Sequence, residues 1–175
     1  MLLTIIGVLL AVIVLGGLVV ALYIMVQGDA QMRLLTKKRG AVTKAGEQEG
    51  RVDFQLEVPF DNIGKQEGTI LEAYMRIYLP QEQYDDVLLR GKVNLEGVMR
   101  DDDYFEALLV PAGTGKKLVL RFEAYAKNGK TIKEALSNIP DVDVALFADC
   151  RGRRELYTVK EYLTLTAEEM RELVK

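Results

Sequence analysis

The sequence predicts a mainly β protein: a single N-terminal transmembrane helix, then an antiparallel β-sandwich of about seven strands closed by a short C-terminal helix. Three observations carry this. Residues 2–26 form an unbroken apolar run, LLTIIGVLLAVIVLGGLVVALYIMV. From residue 52 onward apolar residues recur at every second position. Those alternating stretches are short and are punctuated by glycine and proline.

The apolar run has only Thr4 and Tyr23 as polar members. A bilayer needs about 20 apolar residues in helical form, because a helix satisfies its own backbone hydrogen bonds in lipid. A cleaved signal peptide is the competing reading, with Gly28-Asp29-Ala30 as the cleavage site. It is disfavoured by the absence of a basic residue before the run and by the run's length. Two small-xxx-small pairs, Gly7/Ala11 and Gly17/Ala21, have the spacing that lets membrane helices pack closely.

Residues 27–50 read as a basic juxtamembrane neck and a flexible linker. Arg33, Lys37, Lys38, Arg39 and Lys44 against Asp29 give residues 27–44 a charge of +4, while residues 45–175 carry −7. Basic flanks stay on the cytoplasmic side, so the N-terminus is expected outside and the β domain inside. Arg33, Lys37, Lys38 and Arg39 are the expected lipid-facing cations, and residues 27–39 are expected to continue the helix. Residues 40–50 (GAVTKAGEQEG) are small and glycine-punctuated, a linker composition, which starts the domain at about Arg51.

Seven strands follow by period two. Val52, Phe54, Leu56, Val58 and Phe60 share one face; Thr69 to Leu79 forms the next strand, with Leu71, Ala73, Met75, Ile77 and Leu79 on one face, stopped by Pro80. Val87 to Met99 contains Gly91 and Gly97 as bend points. Tyr104 to Val110 and Leu118 to Ala126 flank Pro111-Ala112-Gly113. Asn128-Gly129 is a hairpin dipeptide. Ile132, Leu136 and Ile139 have helical spacing and predict a short crossover helix. Val142 to Ala148 and Leu156 to Leu165 complete the set. Thr166 and Glu169 form a capping box, with Met170, Leu173 and Val174 on one side of the final helix. A partly open barrel is the alternative closure.

Chemistry is constrained by what is missing. The chain has no histidine or tryptophan, one serine (Ser137) and one cysteine (Cys150). Histidine-assisted serine or cysteine catalysis, histidine-bearing zinc sites and thiolate metal sites are thereby excluded within one chain. Gly113-Thr114-Gly115-Lys116 lacks phosphate-loop spacing. An acidic head does not suit nucleic acid. No cofactor motif is present. Carboxylates are the remaining reagents: Asp101, Asp102, Asp103, Asp141 and Asp143 lie near predicted loops and are weak candidates for a Ca²⁺ site, though no D-x-D-x-D-G loop exists. Two readings remain: a non-enzymatic interaction or scaffold module at the inner membrane surface, binding a protein partner or itself, and a ligand- or ion-sensing domain using acidic loops.

Overall fold

A computed structural model describes every residue except 81, 83, 99, 101, 103 and 154, with the side chains of Leu2 and Leu3 also left aside. Helix α1 spans Leu2–Gln27, and its segment Thr4–Gln27 has a mean hydropathy of 3.1 with no part of it buried. The strands are β1 (Met32–Leu34), β2 (Thr43–Gln48), β3 (Arg51–Asn62), β4 (Gly68–Tyr78), β5 (Val87–Leu95), β6 (Leu108–Val110), β7 (Gly115–Ala126), β8 (Val142–Arg151) and β9 (Leu156–Leu165). Short helices α2 (Ile132–Ser137) and α3 (Ala167–Glu172) sit among them.

All pairings are antiparallel. One sheet, here sheet A, runs β1-β3-β7-β5, with β2 also on β3; the other, sheet B, runs β6-β4-β8-β9. The two inner faces bury the predicted alternating residues: Val52, Phe54, Leu56, Val58 and Phe60 from β3 meet Val144, Leu146 and Ala148 from β8 in one core. Phe54 and Phe122 stack with ring centroids 4.9 Å apart. The fold is therefore a sandwich of two separate sheets, as the one-face alternation requires.

The predicted neck and linker are not what the structure contains. Met32–Leu34 is a strand on the second half of β3, with Met32 opposite Asn62. Thr43–Gln48 is a strand on the first half, with Thr43 opposite Gln55. Between them Thr36–Lys38 makes a single 3-10 turn. Residues 32–48 thus form one interrupted edge strand of sheet A. The reason is that Met32 and Leu34 are core residues, each 4% exposed, and cannot be left on a mobile tether without exposing apolar surface. The short period-two signal was masked by the surrounding cations and glycines.

Turn chemistry follows the sequence. Asn128 and Gly129 both have positive φ, at 57° and 71°, and the turn leads into α2, where the spacing of Ile132 and Leu136 predicts a short crossover helix. Glycine at 97 also has positive φ and closes β5 four residues before the predicted strand end, whereas Gly91 lies in regular strand, its missing Cβ making room for the Met75 side chain. Both short helices begin with full capping boxes, Thr131/Glu134 and Thr166/Glu169.

Candidate interaction surface

The outer face of sheet B is built by register. On β4, β8 and β9 the residues pointing away from the core fall into cross-strand rows. Tyr74, Phe147 and Lys160 form one row, Arg76, Ala145 and Tyr162 the next, and Tyr78, Asp143 and Thr164 the third. Alternation places them there: their chain neighbours Ala73, Leu146 and Leu163 fill the core.

The centre of this face is aromatic and cationic. Tyr74 and Phe147 stack at 4.9 Å with ring planes 6° apart. The Arg76 guanidinium lies 5.6 Å from the Phe147 ring centroid, and the Lys160 ammonium lies 5.2 Å from the same ring and 4.6 Å from that of Tyr162. Such contacts hold a cation over a ring face without neutralising it. Hydrogen bonding to Tyr162 raises the pKa of Lys160, so the ammonium persists. Tyr78 and Tyr162 are 46% and 56% exposed. Two carboxylates on this face are held by threonines, Asp143 accepting from the Thr164 hydroxyl at 2.7 Å and Asp149 from the Thr158 hydroxyl at 2.5 Å, while Glu72, opposite Asp149, is exposed.

The acidic candidates do not converge. Asp141 accepts from the Ala167 amide at 2.7 Å and so caps α3, Asp143 is held by Thr164, and Asp102 is clamped by the Arg100 guanidinium, which lowers its pKa to about 2. Asp101 and Asp103 lie outside the described residues. Among the described residues no three histidine, cysteine or acidic side chains come together as metal ligands.

The basic candidates separate into two kinds. Arg33 pairs with Asp61 at 2.7 Å, and Arg39 donates to both carboxylate oxygens of Glu169 at 2.9 and 2.8 Å and to the Thr164 carbonyl. Lys37 and Lys38 are exposed on the 3-10 turn. These cations climb the side of the head along β3 instead of gathering beside α1. Gly7, Ala11, Gly17 and Ala21 are exposed on α1, with open space around Gly7 and Gly17.

A second concavity of about 460 Å³ runs between β4 and β5, lined by Glu72, Met75, Arg90, Lys92, Asn94 and Arg100 among others. It brings together no nucleophile–base pair. Cys150 is fully buried on the inner face of β8, where burial, aided by Asp149, pushes its thiol up to about 12.

No protein-family model matches the chain, and no curated protein does. Among solved structures, the GAE domain of GGA2p from Saccharomyces cerevisiae is similar over 73% of this chain and 99% of its own, at 8% identity and a TM-score of 0.36. The yeast GGA1 GAE domain is similar over 71% and 97%, at 6% identity and a TM-score of 0.34. What the surface can do is therefore read from its own residues. An aromatic and cationic sheet face could bind a segment of opposite charge. Sequence reading missed it because Tyr74, Arg76 and Tyr78 look like ordinary alternation on one strand. Only the pairing with β8 and β9 assembles the rows.

Proposed function

We propose that this chain is a non-enzymatic interaction module, tethered to the inner face of a membrane by α1, that presents the outer face of sheet B to an acidic, extended segment of a partner protein. The observation that carries the reading is the Tyr74–Phe147 stack flanked by Arg76 and Lys160, with Tyr78 and Tyr162 exposed beside it. Aromatic and arginine side chains are the commonest energetic anchors of protein interfaces. The partner's charge is read from the two cations, Arg76 and Lys160, at the centre of this face. Support for the tether comes from the length and hydropathy of α1, and support for its sense comes from the five basic residues that follow it.

The test uses the full chain in nanodiscs against a displayed library of random peptides. Enrichment of peptides combining aspartate or glutamate with apolar residues is expected. Their binding should be lost in Arg76→Glu/Lys160→Glu and retained in Lys37→Glu/Lys38→Glu, which makes the same charge change elsewhere. Equal binding to both double variants would overturn the assignment of the surface.

A further inference from the structure

We infer that the end of the head next to α1 is itself a bilayer-contact surface, with Ile63, Leu71, Leu109 and Leu156 entering the interfacial zone and Lys65, Arg151 and Arg153 facing anionic headgroups. This rests on α1 being a membrane anchor.

The geometry begins at the last turn of α1. A helix C-terminus leaves its final carbonyls without intrahelical partners. Here two loops distant in sequence supply partners: Lys65 Nζ donates to the Val26 carbonyl at 3.4 Å, Gln66 Nε2 donates to the Gln27 carbonyl at 3.3 Å, and Arg153 reaches the Gln27 side chain. Asp29 completes the joint. Its carboxylate accepts from the Ala30 amide at 2.8 Å and from the Arg153 amide at 2.7 Å, and its carbonyl accepts from the Lys65 amide. The backbone at Gly64 and Gly152 approaches residues 29–31 so closely that a Cβ at either would meet them at 2.3 Å. Residues 64–66 and 152–153 are therefore fixed beside the end of the apolar helix.

What those loops and the adjoining strand ends display is unlike the rest of the head. The exposed large aliphatic residues described outside α1 are Ile63, Leu71, Leu109 and Leu156, and all four are here. Leu109, Thr69, Arg151 and Leu156 stand in one row across β6, β4, β8 and β9. Ile63 is on the loop touching Gln31, and Leu71 sits at the bulge of β4 next to that row. Elsewhere the exposed large apolar side chains among the described residues of the head are tyrosines. Aliphatic residues gathered on the one end that adjoins a membrane-length helix match an interface that accepts both apolar and cationic side chains. Among the described residues the charges at this end include Lys65, Arg151 and Arg153 against exposed Glu67 and Glu155, with Arg33 and Asp61 paired to each other and Asp29 turned into the joint.

Nitroxide labels at Leu156→Cys and, as a control on the far part of sheet B, Tyr78→Cys report the arrangement, each in the Cys150→Ala background of the full chain. The chain is placed in phosphatidylcholine nanodiscs with and without phosphatidylglycerol. The Leu156 label should collide with oxygen and be shielded from a water-soluble nickel chelate, the Tyr78 label the reverse. Lys65→Glu/Arg151→Glu should open the Leu156 label to nickel in phosphatidylglycerol discs. Equal nickel access at both sites, or no effect of the charge reversal, would overturn the inference. Alkaline carbonate extraction from native membranes separates the two readings. A chain released by carbonate lacks the anchor, whereas a retained chain with a nickel-accessible Leu156 label keeps the anchor and loses the seat.

Discussion

At the scale of single residues, stability concentrates in a few polar side chains that join distant segments. Asn62 is fully buried and uses all its hydrogen-bonding directions. Its Oδ1 accepts from the Gln31 and Gly64 amides at 3.0 Å each, and its Nδ2 donates to the carbonyls of Gln66 at 2.8 Å and Val110 at 3.0 Å. Removing it orphans four backbone groups, so Asn62→Ala is expected to destabilise the chain by about 2–4 kcal/mol. Asn62→Asp, which lacks the two donors, should not rescue it in urea denaturation. Glu169 gives a pH signature. Its burial disfavours ionisation, but the Thr166 amide and the Arg39 guanidinium outweigh that and lower its pKa from 4.5. A lowered folded-state value means that the contribution is complete above pH 4.5 and is lost as the pH falls through the folded-state pKa. Glu169→Gln should therefore cost about 1–2 kcal/mol at neutral pH, with the gap to the parent closing in thermal melts below that window.

At the scale of elements, the edge made by β1 and β2 decides what can fold alone. A fragment of residues 51–175 would strip β3 of its whole outer edge and open the core where Met32 and Leu34 sit. Exposed edges of that kind invite aggregation. Residues 28–175 should melt cooperatively by circular dichroism, and residues 51–175 should aggregate or melt broadly; identical melts would show that the edge is dispensable. The sequence displayed some elements openly and others not at all. The six longer strands β3, β4, β5, β7, β8 and β9 were readable because half-burial favours alternation, as in the buried and half-buried succession along β3, whereas the signal from Tyr104 to Val110 contracts to the three residues of β6. The final helix was readable because Thr166 and Glu169 mark its start and fully buried Met170 marks its inner side. The same T-x-x-E spacing at Thr131 and Glu134 was available and marks α2. Strand β1 was not readable, since an alternation of three residues about a central arginine is too short to stand out among the surrounding cations. Nor was the aromatic and cationic face, whose members come from three strands and meet only through register.

At the scale of the whole molecule, the orientation proposed above can be checked by labelling. The turn between β2 and β3 is exposed at Glu49, while the native thiol of Cys150 is buried. A Glu49→Cys variant in intact cells should resist a membrane-impermeant maleimide until the membrane is permeabilised; ready labelling beforehand would reverse the assignment. The joint at Asp29 has a wider consequence. Only four residues separate the end of α1 from the start of β1, and of these Asp29 is bound to Lys65 and Arg153 and Gln31 to Asn62 and Ile63. With α1 as the anchor, the head has no slack. It can drift laterally and spin about the membrane normal, and it leans only as far as α1 itself tilts. The outer face of sheet B then travels at one fixed height, like a reading head over a track. A partner in the same membrane meets it only if its acidic segment is carried at that height. Lengthening the partner's stalk should change encounter frequency more than lengthening this chain anywhere beyond residue 31. Geometry of reach, as much as contact chemistry, becomes a selector of partners.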